Sequence, residues 1–203
     1  MWDKVIFGRD LYHVVLWFLT YSILGWIVES IYMSICNKKW TNRGFSKGPF
    51  CPIYGVGALT VYFVLSPYSH NRVLLFFLGA ILATTIEWVT ARIMERIFGE
   101  VWWDYTDKPF NYKGILCLES TLAWGLYTLI LFGVLHGFVE RIVNAIPFHI
   151  GRIAGTLLIL VYIIDFTSSF YKEKRENLPV SFSKIKNSFR NLIGDVYKRQ
   201  ESS

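Results

Sequence analysis

The most constraining feature of this chain is that its long apolar stretches carry carboxylates inside them and not only at their ends. Leu11 to Cys36 contains Glu29, Val73 to Phe98 contains Glu87 and Glu95, Gly114 to Val139 opens with Glu119, and Ile150 to Tyr171 contains Asp165. About 20 apolar residues, each rising about 1.5 Å along a helix, cross the hydrocarbon core of a bilayer. These stretches therefore predict membrane-spanning helices. An ionisable side chain at that depth costs at least about 2.5 to 3.5 kcal/mol, so it normally faces protein, water or a partner. The fold class that follows is all-α, a polytopic bundle whose interior is not wholly apolar.

Composition agrees with this. At 203 residues, 53% hydrophobic and 18% aromatic, with a mean hydropathy of +0.36, the chain is too apolar for an ordinary soluble domain of its length. Residues 1–171 read as one transmembrane domain, and the first apolar run reads as a retained helix, being too long for a signal-peptide core and lacking a small-residue cleavage site. The net charge of +6 does not point to nucleic acid, because the basic residues flank apolar segments instead of forming a surface interleaved with aromatics. Cys36, Cys51 and Cys117 include no C-x-x-C pair, and the topology below puts all three near the cytoplasmic side, where thiols stay reduced.

Five spans are predicted: Leu11 to Cys36, Phe50 to Leu65, Val73 to Phe98, Gly114 to Val139 and Ile150 to Tyr171. The second is short and starts with Gly48-Pro49-Phe50-Cys51-Pro52, which suits a broken or re-entrant beginning. With the amino terminus outside and the carboxy terminus cytoplasmic, 16 of the 21 Lys and Arg fall on the cytoplasmic side. The positive-inside rule selects that arrangement and places the protein in the cell (inner) membrane as a multi-pass protein. Residues 172–194 read as a basic tail in which Phe182, Ile185, Phe189, Leu192 and Ile193 recur at helical spacing, as an amphipathic helix on an anionic leaflet would. Residues 195–203 contain Asp195-Val196-Tyr197-Lys198-Arg199-Gln200, which matches a translated sequencing adapter. That segment reads as non-native or disordered and carries no functional argument.

Both cytoplasmic loops have a shaped composition. The first runs Glu29 … Asn42-Arg43-Gly44-Phe45 … Cys51 … Gly55, and the second Glu87 … Asn111-Tyr112-Lys113-Gly114-Ile115 … Cys117 … Gly125. Each joins a carboxylate-bearing helix to a helix that opens near a glycine, which suggests a weak parallel internal repeat. Gly44, Gly48 and Gly55 permit backbone conformations closed to other residues, and Pro49 and Pro52 fix φ. Arg43 offers a bidentate fork to a carboxylate or a phosphate. A binding loop and a structural re-entrant loop both fit.

Glu29 stands one turn beyond Gly25, an arrangement that lets helices approach and aims the carboxylate inward. Glu87 in Thr84-Thr85-Ile86-Glu87-Trp88 resembles it. Either they line a polar pathway for a cation or proton, or each pairs with a basic loop residue such as Arg43 to hold the fold. Glu119 sits one turn into its helix, where the positive helix end favours an acid. Asp165 lies near the cytoplasmic end, within reach of water or Lys172. The segment Gly99 to Asp107, with Trp102, Trp103, Asp104 and Tyr105, suits either a partner interface or an aromatic belt.

The run of Glu29, then Asn42-Arg43-Gly44-Phe45, then Gly48-Pro49-Phe50-Cys51-Pro52-Ile53-Tyr54-Gly55, with Trp103-Asp104-Tyr105 and Pro109-Phe110-Asn111 later, resembles the bacterial family called putative ABC-transporter type IV, or CmpB-like. The resemblance covers Leu11 to Tyr171. It implies a permease subunit and assigns no residue a role. The chain has no G-x-x-x-x-G-K-[S/T] phosphate loop, so a permease of this kind needs a separate ATPase. The partners expected are the lipid bilayer, that ATPase and a second copy of the chain, with no nucleic acid, no cofactor and no metal. His13, His70, His136 and His149 are scattered, and neither H-E-x-x-H nor G-x-S-x-G occurs.

The reading is a permease-like membrane component of unspecified substrate. A membrane scaffold or lipid-binding protein is the alternative, and a membrane-embedded enzyme using Glu29 with Arg43 as acid and base is a third. A translocator presents Glu29 and Glu87 to a polar path, a scaffold closes them into ion pairs, and an enzyme gathers them at an open pocket at headgroup depth.

Overall fold

A computed structural model describes residues 2, 4–6, 8–42 and 48–176. The predicted tail helix at 182–193, Arg43 and Gly44 lie outside the described residues. Five helical rods form the bundle. They are α1 (Leu11–Asn37), α2 (Pro52–Leu65), α3 (Arg72–Phe98), a rod made of α4 (Leu118–Ile130) and α5 (His136–Ala145) joined by a π turn at Leu131–Leu135, and α6 (Phe148–Glu176). Four of these, α1, α3, α4 with α5, and α6, are long and apolar enough to cross a membrane. A two-residue antiparallel pairing of β1 (Val5–Ile6) with β2 (Arg9–Asp10) precedes α1.

The helix ends follow from local chemistry. Asp10 caps α1 by accepting from the His13 amide, and Asn71 caps α3 by accepting from the Leu74 amide. Gly99 ends α3 at φ +81, the left-handed conformation that glycine adopts without a Cβ clash. Pro52 stands in the first turn of α2, where a missing N–H costs nothing. Cys117 caps α4 in a reciprocal pair with Ser120.

The fourth helix starts at Leu118, four residues later than the span predicted from Gly114. Residues 99–117 are instead tied into a compact loop. Asp104 Oδ1 accepts from the Thr106 amide at 2.9 Å and the Thr106 hydroxyl at 2.7 Å, while Asn111 donates to the Thr106 and Lys108 carbonyls and accepts from the Gly114 amide. Gly114 sits at φ +68, so helix cannot begin before it.

The ends of the bundle differ. Residues 8–10, 66–71 and 146–147 lie at one, the hairpin end, and α1 and α3 finish at the other, the loop end. The Cys51 amide donates to the Ser22 carbonyl at 3.0 Å, so α2 begins level with Ser22, about 22 Å back along α1 from Asn37. Likewise Thr121 of α4 meets Thr84, at 3.1 Å, so the chain leaving Phe98 climbs back before α4 begins. Both halves thus consist of a long helix, an inward-returning loop and a helix opening on a cysteine. The short α2, about 21 Å long, begins on Pro52 partway along α1 and ends at the hairpin end.

Lipid is as apolar as leucine, so helix association here depends on close packing and polar contacts. Gly55 allows α2 to touch α1, since a Cβ there would lie 2.7 Å from the Phe18 carbonyl oxygen; Gly79 likewise admits Thr128 of α4. The apolar core, including Leu16, Trp17, Leu19, Val61, Leu65, Leu75, Val139 and Val143, sits between α1, α2, α3 and α5. α6 is peripheral, with only 6% of its apolar window buried against protein.

Candidate functional site

Polar side chains gather where the returning loops meet the helices, in the loop-end half of the bundle. Glu87 on α3 is 94% buried by its 6% exposure. Its Oε1 accepts from the Tyr105 hydroxyl at 3.1 Å, its Oε2 from the Trp124 indole N–H at 3.0 Å, and Ser120 adds a third hydrogen bond. All three donors are neutral. No cation reaches ion-pair range of Glu87 among the described residues. Burial, with the neighbouring carboxylate of Glu87, holds the Tyr105 phenol well above its ordinary range, so it stays protonated and remains a donor.

Glu29 on α1 is half-buried. The Cys51 thiol approaches its Oε2 at 3.8 Å and the Tyr54 hydroxyl hydrogen-bonds it. Tyr54 reaches it because its ring lies over Gly25, where no Cβ intervenes. Tyr105 lies within the electrostatic reach of both carboxylates. One loop residue therefore links the α1–α2 half to the α3–α4 half.

The other sequence-derived residues have distinct places. Asn42 accepts from the Trp26 indole N–H at 2.6 Å, which pins the first loop to α1. Asp165 accepts from the Gly48 amide at 2.7 Å, fastening the same loop to α6, and the closeness of this contact leaves little room for a side chain at Gly48. The expectation of Lys172 or water as its partner missed that role, because nothing in the spacing places residue 48 beside residue 165. Pro49 is exposed and Pro52 starts α2. Glu119 is exposed and pairs with Lys108 at 2.9 Å across the mouth of the second loop, and this carboxylate holds the Lys108 ammonium above its ordinary range. Asp104, Asn111 and Gly114 shape that loop and do not touch the carboxylates. Trp103 donates to the Ile115 carbonyl at 2.8 Å and Trp102 packs on Phe98, so both are half-buried. The exposed aromatics of the loop are Phe110 and Tyr112.

Sequence reasoning missed Tyr105, Ser120 and Trp124 as carboxylate ligands. The available signal was that buried Tyr and Trp need a partner for their polar tips. The arrangement can hold a carboxyl group in either charge state, since neutral donors tolerate protonation that a bound cation opposes. Two surface grooves, of about 420 and 320 Å³, lie elsewhere, one beside Trp2, Arg152 and Thr156 and the other beside Arg72, Phe76 and Leu129. Neither is lined by Glu29 or Glu87.

Residues 16–170 match the model of the family described as "Putative ABC-transporter type IV". No curated protein and no solved structure matches the chain.

Proposed function

From the premise that the chain belongs to the ABC-transporter type IV family, we propose that it is a permease-like component of a transport system in the cell membrane. Its amino terminus lies outside, its two returning loops face the cytoplasm, and a separate ATPase drives it. Glu29 and Glu87 form the polar step of the path, with Tyr54, Tyr105 and Trp124 holding them. The observation that carries this is that, among the described residues, the groups that solvate Glu87 are neutral donors. A carboxylate kept only to fasten helices is best served by a cation, because an uncompensated charge at this depth is costly. A group that gains and loses charge, or passes a cation, is better served by donors that remain in place when the charge leaves.

The loops supply the link to the ATPase. Phe110 and Tyr112 stand out from the second loop, and Tyr105 in the same loop touches Glu87, so movement of the loop alters the ligands of the carboxylate. The test is Glu29→Gln and Glu87→Gln, with membrane abundance measured beside the uptake or growth phenotype of the native system. Well-folded, inactive variants support the path. Activity that falls only in step with abundance supports the scaffold, and full activity at normal abundance removes the site assignment. Purification in mild detergent should recover an ATPase with the chain, and its absence in a native membrane extract counts against the permease.

A further inference from the structure

The opposite half of the bundle holds a second titratable group that the carboxylate site does not use. His136 opens α5 immediately after the π turn and is buried. Tyr21 of α1 meets its Nδ1 at 2.7 Å. Tyr62 of α2 stacks on the ring at 3.8 Å between centroids, and Trp17 of α1 meets it edge to face at 4.7 Å. Yet among the described residues His136 Nε2 has no hydrogen-bond partner, and neither has the Trp17 indole nitrogen, although both are buried. A histidine kept only for packing has no reason to leave a ring nitrogen unanswered at such depth.

The surroundings suit an added charge. In the tautomer whose Nδ1–H donates to the Tyr21 oxygen, the neutral ring keeps a lone pair at Nε2, where a second proton can land. The imidazolium so formed lies against the face of Tyr62, whose quadrupole favours a cation. Glu140 stands one turn further along α5, half exposed, and pairs at 3.8 Å with Arg9 of β2, whose guanidinium lies 5.6 Å over the Trp17 ring. Among the described residues, the charged and titratable groups facing His136 are thus Tyr21 on α1, Tyr62 on α2, Arg9 on β2 and Glu140 on its own helix. His13 adds its ring to Trp17 at 5.9 Å from one turn earlier in α1.

We propose that His136 is a proton-binding site, loaded and unloaded at Nε2 through the Arg9–Glu140 end of the bundle. On loading, a proton from water binds the Nε2 lone pair, no other bond changes, and unloading returns the proton to water. Tyr21 lies eight residues before Glu29, about 12 Å along α1, so the site occupies a separate level from the carboxylates. It goes beyond the transport reading and does not depend on it.

The test is nitrogen NMR of imidazole-labelled full-length protein in lipid nanodiscs, with the four histidines assigned by single replacement. His136→Gln identifies the resonance, and Tyr21→Phe, which conserves the ring, identifies it independently by moving only that signal. The expected result is an Nε2 that passes reversibly from unprotonated to protonated as pH is lowered. Glu140→Gln should lower the protonated fraction about tenfold at a given pH, and Arg9→Gln should raise it, since one removes a favourable and the other an unfavourable neighbour. Both positions are half exposed, so the bundle stays intact. An Nε2 fixed in one state throughout overturns the proposal, as does a titration indifferent to both changes.

Discussion

Replacing Glu87 tests the frame of neutral donors most directly. Glu87→Ala leaves the Tyr105 hydroxyl and the Trp124 indole N–H, now 3.1 and 3.0 Å from carboxylate oxygens, half-buried without acceptors. At about 1 to 3 kcal/mol for each orphaned donor, the loss is about 2 to 6 kcal/mol. Glu87→Gln keeps one acceptor and turns an NH2 toward the other donor, which halves the loss to about 1 to 3 kcal/mol. Removing the opposed donor should relieve the Gln variant: Trp124→Phe with Glu87→Gln should be less destabilised than the sum of the single changes. The assay is equilibrium unfolding in mixed micelles for wild type, both Glu87 variants, Trp124→Phe and the double variant. If Glu87→Ala unfolds within about 0.5 kcal/mol of wild type, or the double variant is strictly additive, the hydrogen bonds do not hold this carboxylate and the reasoning fails.

Other expectations follow from the same contacts. Asp165→Ala removes the acceptor of the Gly48 amide at a cost of about 1.5 to 3 kcal/mol, the range for hydrogen bonds to charged groups, and should expose the buried Cys51 to a maleimide faster than in wild type; unchanged labelling counts against the clamp. Gly79→Leu should separate α3 from α4 and lower the unfolding temperature, because the position already touches Thr128; a variant with wild-type melting would show that the helices do not approach there. Asp104, held below the usual carboxylate range by the Thr106 hydroxyl and amide, steadies the second loop at any pH above its unfolded value of about 3.9. That support is lost as pH falls through the still lower folded value, so amide exchange in residues 104–114 should quicken there, and Asp104→Asn should abolish the pH dependence. Reporter fusions should find the amino terminus outside and the carboxy terminus in the cytoplasm, and the reverse result would turn both loops outward.

Much of the framework is legible in the sequence because membrane helices announce themselves by length. The apolar runs located α1, α3 and α6, and Pro49 with Pro52 marked α2 as a short segment with an irregular approach. The start of α4 was less legible. Ile115 and Leu116 continue the apolar run, and only the ties among Asp104, Thr106, Asn111 and Gly114 show that they belong to the loop. Glu29 and Glu87 were recognisable as interior groups from depth alone, but their ligands were not. Tyr105 and Trp124 resemble any interfacial aromatics until the second loop is seen to fold back against α3. His136 was still less visible, since Tyr21 is 115 residues away in sequence and nothing local distinguishes it from the other histidines.

The π turn at Leu131–Leu135 has a consequence for how the bundle tolerates change. Buried positions along the rod run Gly125, Thr128, Leu131, then His136, Val139 and Val143, so the stride from Leu131 to His136 is five residues where an unbroken α-helix takes three or four. The extra residue rotates the second half by about 100° relative to uniform pitch, which lets one rod face α3 with Gly125 and Thr128 and α1 with His136, Val139 and Val143. Deleting one residue within the turn would restore even winding and put the two seams out of phase, so that only one could close. Substitutions on either side, by contrast, are answerable to different neighbours, α3 before the turn and α1 with α2 after it. The turn works as a joint between two independently cut gears, and it confines the damage of a slip in one to that half of the molecule.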